Sequence, residues 1–429
     1  MKFIQISSKL FTGNVILIIA GLIYFTVYLI FFPSFYASID EHEYIRNSFL
    51  LRRGTLIEKD ITQACTGKYN GEGYVSQYFI GRSIFLIPFT YFGLFGIMFS
   101  GLVIHFLNFF LFSLILNKLG RDKIYSILYL LYPSYLLVSR AISSELLVLT
   151  GLLLSTYFYI SDNRKSWILA GFAFGLTLLA RYDAAILIAA FFFATTITNR
   201  KKLSFLALGF IGPLVIILTL NQIFYGGLAS TGYGNPTRFF INIITNSYFL
   251  HNLVTYVFVL SLVYPLLIYS PLFESKLRLE LILVIIFTLI FWSGNSWPSL
   301  FISGGLSAIG VFRYVIPLTG LLMISYSSFS ETIFNSLKRY KNSLRILMVG
   351  FLFAIMVYGS YIHYNFINER YSVFQQIYNN TEIGSLIIGS SDDCNYFLND
   401  IFEKRAYLDV NTTNIEDYMD GYSSVYIID

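Results

Sequence analysis

The sequence predicts an α-helical polytopic membrane protein, with about 11 transmembrane helices and a small α/β unit at the C-terminal end. Three observations predict this class: 56% of the 429 residues are hydrophobic, only 12% are charged, and the mean hydropathy is +0.66. Soluble domains carry about 25% charged residues, so a water-soluble fold is excluded. The net charge of +5 is a small excess and gives no sign of a nucleic-acid partner.

Apolar segments account for the helix count, because about 20 residues cross the roughly 30 Å hydrocarbon layer, and fewer suffice where neighbours shield the span. The first segment follows Lys2 and Lys9, lacks a small-residue cleavage site and precedes a proline, so we expect a retained anchor. The eleven segments cover approximately residues 14–32, 97–116, 124–139, 145–160, 166–180, 184–198, 203–222, 253–271, 279–297, 314–329 and 344–362.

The distribution of charge predicts the orientation of these spans. With a cytoplasmic N-terminus, the short inner loops hold 16 of the 29 basic residues but only five of the 24 acidic residues, as the positive-inside rule requires. The same rule predicts a hairpin of two short helices over residues 166–198, because otherwise the basic stretch that begins at Arg200 would lie outside. We therefore expect a multi-pass protein of the cell membrane whose C-terminal unit is outside.

The chain divides into two predicted parts. Residues 1–363 form the transmembrane part, with a long outer first loop over residues 33–96, and residues 364–429 form a small outer α/β unit. Because the inner loops are short connectors, function is expected on the outer side. A βαβαβ order is predicted for the outer unit, with strands at Ser385–Gly389, Arg405–Asp409 and Ser424–Ile428 and helices at Asp393–Phe402 and Ile415–Asp420.

The most unusual local sequence is Ser38–Tyr44, just beyond the first span, where Asp40, Glu41 and Glu43 crowd together. Carboxylates at a membrane edge are costly to desolvate, and they usually line an aqueous cavity or bind a ligand. Two alternatives stay open. Ser38 and Glu41 fit a capping box at a helix start, and the acids with His42 would make a weak metal site, because neighbours on a helix point in different directions.

Five arginines recur at the outer edge of the spans, namely Arg82, Arg140, Arg181, Arg238 and Arg313. Singly, each is typical of an interfacial side chain that reaches toward water, and Arg140 with Glu145 fits an exposed ion pair. Together, at one membrane depth around an acidic first loop, they indicate a phosphate held at the level of the lipid headgroups. A guanidinium fork fits two phosphate oxygens.

The two cysteines, Cys65 and Cys394, belong to no CxxC motif or Cys/His cluster. Neither a zinc site nor a disulfide framework is therefore expected. Both residues are expected on the more oxidising outer side, where a single bridge between them is left open.

A set of short motifs runs in order over roughly residues 14–330: Asp40-Glu41 with Tyr44, Ser76–Gly81 with Pro88, Pro133, Ser139-Arg140, Ser144-Glu145, Ala170-Gly171, Gly175, Leu179, Arg181, and Arg313-Tyr314 with Pro317. In their order and spacing, these motifs resemble the GT-C superfamily of polytopic glycosyltransferases that use polyprenyl-phosphate-linked sugars. The most similar branch holds protein O-mannosyltransferases and bacterial lipid A aminoarabinose transferases. A proline is common in the family at Tyr182, and a lysine with two prolines is common at Ser76–Gly81, where Arg82 would replace the lysine.

The resemblance implies an inverting glycosyltransferase, a hexosyl- or pentosyltransferase that works at the outer face of the bilayer. Its donor would be a sugar on a polyprenyl (dolichyl or undecaprenyl) phosphate, and its acceptor a hydroxyl or similar nucleophile of a protein, lipid or glycan. The implied catalytic pair is Asp40, as base, with Glu41. No cofactor is assigned, and assistance by a divalent cation is left open. Substrate contacts are expected from Tyr44, Tyr78, Arg82, Arg140, Glu145, Arg181, Arg313 and Tyr314.

Two other classes of function remain as alternatives. A polysaccharide polymerase or ligase would also be polytopic with large outer loops. A lipid or sugar transporter (flippase) is disfavoured, because ionisable residues concentrate at the outer edge rather than near the bilayer midplane, where coupling sites usually lie.

Overall fold

The structure, a computed structural model, is mostly helical and describes residues 2–36, 38–60, 67–295, 306–336, 340–389, 405–410, 416–419 and 422–427. Within these ranges the helices are α1 (Lys2–Ile30), α2 (Ile39–Arg52), α3 (Gly81–Thr90), α4 (Gly93–Lys118), α5 (Ser126–Leu130), α6 (Pro133–Ser139), α7 (Glu145–Tyr159), α8 (Arg164–Ala180), α9 (Ala184–Thr198), α10 (Arg200–Tyr225), α11 (Thr237–Thr245), α12 (Phe249–Val263), α13 (Arg278–Asn295), α14 (Leu306–Ser336), α15 (Lys341–Asn380) and α16 (Glu416–Met419). The strands are β1 (Lys68–Tyr69), β2 (Tyr74–Val75), β3 (Leu386–Gly389), β4 (Ala406–Asp409) and β5 (Val425–Ile427).

Long apolar helices make this a multi-pass membrane protein, as predicted. Four described helices are long and apolar enough to cross a bilayer: α4, α10, α13 and the Ser343–Asn380 part of α15. Shorter apolar helices cover Asn14–Ile30, Glu145–Tyr159, Ala184–Thr198 and Phe249–Phe258. A helix of 15 residues is only about 22 Å long, so α7 and α9 are short for a full span. They pack among the other helices in one large hydrophobic core.

Two predicted spans are not continuous helices, and the prediction was wrong there. Over residues 124–139, α5 ends at Leu130 and α6 begins at Pro133, with the intervening Tyr132 in an extended conformation. Proline restricts the residue before it and lacks the N–H that a helix interior needs. Over residues 253–271, α12 ends at Val263, and a 3₁₀ turn follows Leu266, whose φ is +66°.

The predicted hairpin over residues 166–198 is confirmed as two helices, α8 and α9, joined at Arg181–Asp183. Glycines bring α8 close to α10. A Cβ on Gly171 would collide with the backbone of Leu206, and one on Gly209 with the backbone of Ile168. α8 and α10 therefore pack closely along this stretch, as glycines in paired membrane helices allow.

A second hydrophobic cluster fixes α2, which carries the acids of the first loop. Tyr44 and Ile45 of α2 pack in this cluster with Ile367 and Phe374 of α15. The ring of Phe35, just before α2, stacks on Phe374 with 5.1 Å between centroids. Although α2 carries many polar residues, one of its faces is thus packed in a hydrophobic cluster.

The C-terminal unit has a three-stranded parallel sheet in the order β4-β3-β5. Its strands coincide with the predicted ones to within two residues, and α16 lies in the second predicted helix. The predicted helix at Asp393–Phe402 lies outside the described residues, as do Cys65 and Cys394. The proposed domain boundary at residue 363 falls inside α15, which continues unbroken to Asn380.

Candidate active site

Asp40, the second residue of α2, makes two short contacts through its carboxylate. Its Oδ2 lies 2.7 Å from Nη2 of Arg313 on α14, and its Oδ1 accepts a 2.6 Å hydrogen bond from the Tyr78 hydroxyl. The side chains of Asp40 and Arg313 are 18% and 29% exposed. The carboxylate is therefore oriented by two partners and still reachable from outside the protein.

The capping-box alternative for this segment is wrong. Ser38 is the N-cap residue of α2, but its side chain makes no capping hydrogen bond. Its hydroxyl instead donates to Oε1 of Glu41 at 3.2 Å. Within the described residues, no three His, Cys, Asp or Glu side chains are grouped closely enough to hold a metal ion.

Charged residues from four elements meet beside Asp40 and form what we call the acid–arginine network, made of Asp40, Glu145, Arg181, Asp183 and Arg313. Glu145 starts α7, and its Oε1 lies 2.7 Å from Nη1 of Arg181 and 3.6 Å from Nε of Arg313. Arg181 also binds Asp183 through Nε, at 2.9 and 3.2 Å from the two carboxylate oxygens. Three acids and two arginines thus share one site, with Arg313 bridging Asp40 and Glu145.

Electrostatics at the site hold Arg181 ionised and the Tyr78 phenol protonated. Burial by itself lowers the pKa of Arg181, but the carboxylates of Asp183 and Glu145 outweigh it and hold this pKa well above the usual value. Burial and the charge of Asp40 raise the pKa of the Tyr78 phenol. Tyr78 therefore stays protonated at neutral pH and donates its proton to the hydrogen bond with Asp40.

Aromatic side chains line the site. The rings of Tyr44 and Tyr78 lie 5.5 Å apart, and the Tyr44 hydroxyl is 2.9 Å from Oγ of Ser144, the residue before Glu145. Tyr314 stacks on Trp292 of α13 with 4.4 Å between ring centroids. A narrow cleft opens between these groups, lined by Glu145, Val148, Arg181, Asp183, Ala184, Ile186, Leu187, Thr288, Trp292, Tyr314 and Pro317.

Glu41, the second member of the predicted catalytic pair, is almost fully buried. Its Oε2 accepts a 2.9 Å hydrogen bond from the backbone N–H of Ile142. This bond ties α2 to the segment that leads into α7. The structure thus gives Glu41 a contact that positions Asp40 against Glu145, rather than a place on the open cleft.

Arg82 and Arg140 lie outside the acid–arginine network and are buried, with 0% and 1% exposure. Arg82 donates one hydrogen bond, from Nη2 to Oγ of Ser100 at 2.9 Å, and Arg140 reaches Nδ1 of His363 at 3.4 Å. No hydrogen-bond partner among the described residues reaches Nε and Nη1 of Arg82 or the two Nη atoms of Arg140. Of the five predicted arginines, Arg181 and Arg313 therefore come together, these two stay apart, and Arg238 is exposed on α11.

Two residues of the site were not predicted as site residues. Asp183 pairs with Arg181 two positions earlier. An acid so near an outer arginine is visible in the sequence and indicates an ion pair. Trp292 lies inside an apolar run on α13, where nothing distinguishes it from packing residues. Its place opposite Tyr314 depends on how α13 and α14 pack.

Glu43, the third acid of the first loop, forms a buried ion pair with a residue outside the network. Its Oε2 lies 2.7 Å from Nη2 of Arg46, and both side chains are almost fully buried. Burial by itself raises the pKa of the Glu43 carboxyl, but Arg46 and His42 outweigh it and lower this pKa to about 2.

Stability should therefore depend on the ionisation of Glu43. Because its folded pKa lies below the usual 4.5, its contribution is complete above that pH and is lost as the pH falls toward 2. We expect Glu43→Gln to cost about 3–5 kcal/mol at pH 7, because it leaves Arg46 buried and unpaired. Unfolding of both proteins, measured from pH 7 to pH 3, should show this difference shrink by about 2 kcal/mol. A difference that stays constant would contradict the ion pair.

Known structures share this architecture. ArnT from Cupriavidus metallidurans bound to undecaprenyl phosphate matches with a TM-score of 0.61 at 14% identity, over 95% of this chain and 87% of that one. The oligosaccharyltransferase of Archaeoglobus fulgidus matches at 0.52 with 11% identity, over 92% of this chain and 63% of that one. Its complex with an inhibitory peptide and a dolichol-phosphate matches at 0.51 with 12% identity, over 92% and 64%.

No protein-family model and no curated protein matches the sequence. The likeness is therefore one of structure, and it extends over nearly the whole of this chain. This chain has the GT-C fold.

Proposed function

We propose that the protein is an inverting membrane glycosyltransferase that moves a sugar from a polyprenyl phosphate to an acceptor nucleophile at the outer face of the bilayer. The observation that carries this proposal is the Asp40 carboxylate, held by Tyr78 and Arg313 yet partly exposed. The structures of ArnT with undecaprenyl phosphate and of the Archaeoglobus fulgidus oligosaccharyltransferase with dolichol-phosphate support a lipid-phosphate donor.

In the proposed reaction the acceptor oxygen forms a bond to C1 of the sugar as the bond from C1 to the phosphate oxygen breaks. The polyprenyl phosphate leaves with the electron pair, and the acceptor proton moves to Asp40. A carboxylate is a weak base, but it suffices because the hydroxyl becomes acidic only as the new C–O bond forms in an oxocarbenium-like transition state. Attack on the face opposite the leaving group inverts the anomeric centre.

Arg313 has two roles in this scheme. Its bond to Oδ2 fixes one carboxylate oxygen of Asp40, while Tyr78 fixes the other, so the remaining lone pairs point in defined directions. Its second acid partner, Glu145, keeps the guanidinium in place while Asp40 receives a proton. Preorganised charge of this kind lowers the barrier because little rearrangement accompanies the reaction.

Arg82 and Arg140 are the proposed contacts for the donor phosphate. Each is a buried cation with unused N–H donors, and neither forms an ion pair with a described residue. A buried charge without a counter-charge is costly, and a phosphate would remove that cost. Arg181 and Arg313 are less suited to this role, because carboxylates already occupy them.

The test of this proposal varies both the sugar donor and the acceptor. Purified protein in lipid nanodiscs is incubated with a panel of prenyl-phosphate sugars, each with protein, lipid and glycan acceptors. We expect consumption of one donor class and release of the free prenyl phosphate, and a hexose or pentose donor then defines the subclass. A polymerase or ligase would be identified by its glycan acceptor. If proteoliposomes move the donor across the bilayer without consuming it, the protein is a transporter and the proposal fails.

A further inference from the structure

A second cavity lies at the far ends of the helices that form the candidate active site. α7 runs from Glu145 in the acid–arginine network to Tyr159 in this cavity, and α9 runs from beside Asp183 to Thr198. α13 connects the two places in the opposite direction. The cavity has a volume of about 450 Å³ and is lined by Tyr159, Asp162, Trp167, Thr198, Asn199, Lys202, Ser275, Lys276, Arg278, Leu279, Glu280 and Ile282.

The inner wall of this cavity is built from buried polar groups. The Tyr159 hydroxyl donates to Oε1 of Glu280 at 2.7 Å and lies 2.8 Å from Oγ1 of Thr195. Tyr159 and Glu280 are buried. These bonds join α7, α9 and α13, so the wall is rigid before any ligand binds.

Cations outnumber acids around the cavity. The Nζ of Lys202, a half-buried residue, lies 3.1 Å from the ring centroid of Tyr159. Lys276 and Arg278 are exposed at the rim. Against these three cations stand Glu280, which is already hydrogen-bonded to Tyr159, and the exposed Asp162. The cavity therefore has a net positive charge.

Helix direction adds to this charge. α8, α10 and α13 begin at Arg164, Arg200 and Arg278, and each contributes residues near its start to the cavity wall. The N-terminal end of a helix carries a partial positive charge. Trp167, whose indole is half-buried in the wall, is a residue type enriched where a membrane meets water.

We propose that this cavity binds a phosphate ester, the phosphate lying against Lys202, Lys276 and Arg278. The size of the cavity suits a lipid headgroup or a small soluble phosphate ester, and both present the same anion. With the predicted orientation of the chain, the site faces the cytoplasmic leaflet. It is separate from the proposed transfer reaction, because about 22 Å of α7 lies between the two sites.

The test uses the full chain in a phosphate-free detergent, and it measures the unfolding midpoint during titration with two probes. These are dihexanoyl phosphatidylglycerol and sn-glycerol-3-phosphate, at constant ionic strength. Binding to the folded protein should raise the midpoint in a saturable manner. A rise with the lipid alone identifies a headgroup site, and a rise with both identifies a site for any phosphate ester. No rise with either probe overturns the proposal.

Variants of the lining lysines test whether the probes bind in this cavity. We expect Lys202→Gln to weaken binding about tenfold, as loss of one charge-assisted contact does, and Lys276→Gln at the exposed rim to act in the same direction without disturbing the wall. Lys201→Gln is the matched control, since it removes an equal charge from the same turn of α10 at an exposed position outside the cavity. Equal affinity in all three variants overturns the proposal. Because the readout is stability, the result does not depend on whether the protein transfers sugars.

Discussion

Asp40→Asn should lower the rate of sugar transfer by about 10²- to 10⁴-fold, the range that general-base catalysis usually contributes. Asparagine has the same shape and can still accept a hydrogen bond from Tyr78, but it cannot take a proton from the acceptor. It also leaves Arg313 with Glu145 as its remaining acid partner in the network. The measurement is the initial rate of donor consumption by protein in nanodiscs, at saturating donor and acceptor.

The matched control is Asp60→Asn, the same chemical change at an exposed residue of the same loop. This variant should transfer sugar at the wild-type rate. Circular dichroism and the elution volume in size-exclusion chromatography should show that both variants are folded. If Asp40→Asn retains most of the wild-type rate, Asp40 is not the base, and the chemistry proposed above has lost its central group.

Arg82→Gln should raise the KM for the lipid donor about 10- to 100-fold, because it removes charge-assisted hydrogen bonds to the phosphate that are worth about 1.5–3 kcal/mol. The kcat should change little if the contact is equally strong in the ground state and the transition state. The KM for the acceptor should not change. Steady-state kinetics with each substrate varied in turn measure these constants.

The unfolding temperature of Arg82→Gln distinguishes phosphate binding by Arg82 from a structural role. Without donor, Arg82→Gln should unfold at the wild-type temperature or above it, because it removes a buried charge that no described acid neutralises. Arg238→Gln, at an exposed arginine of α11, should alter neither stability nor donor affinity. A less stable Arg82→Gln with an unchanged donor KM would mean that the guanidinium supports the fold and does not bind phosphate.

Much of the fold could be predicted because its signals are local. Apolar runs predict the long helices α4, α10 and α13, and short apolar and aromatic runs predict the strands of the C-terminal sheet. The α8–α9 hairpin was predicted from two short apolar segments, and the distribution of charge favoured dividing them. The break before Pro133 was missed, although proline is a local signal, because hydropathy does not distinguish one long helix from two short ones in line.

The candidate site was less accessible to prediction, because its contacts join distant parts of the chain. Asp40 and Arg313 were both singled out, yet nothing in the sequence indicates that they form a 2.7 Å ion pair. The five outer arginines look alike as sequence, and only packing separates the paired Arg181 and Arg313 from the buried Arg82 and Arg140. Likewise, the neighbours Asp40 and Glu41 make different contacts because one helix turns them in different directions.

The unbroken length of α15 has a mechanical consequence. Its 40 residues make a rod about 60 Å long, twice the thickness of the hydrocarbon layer. If the N-terminal half of α15 is embedded in lipid, the C-terminal half must extend beyond the bilayer. The parallel sheet follows the C-terminal end of this half. Phe374, which stacks on Phe35, lies near the C-terminal end of α15 and holds this outer half against the segment before α2. A tilt of the outer half of α15 would therefore displace the start of α2.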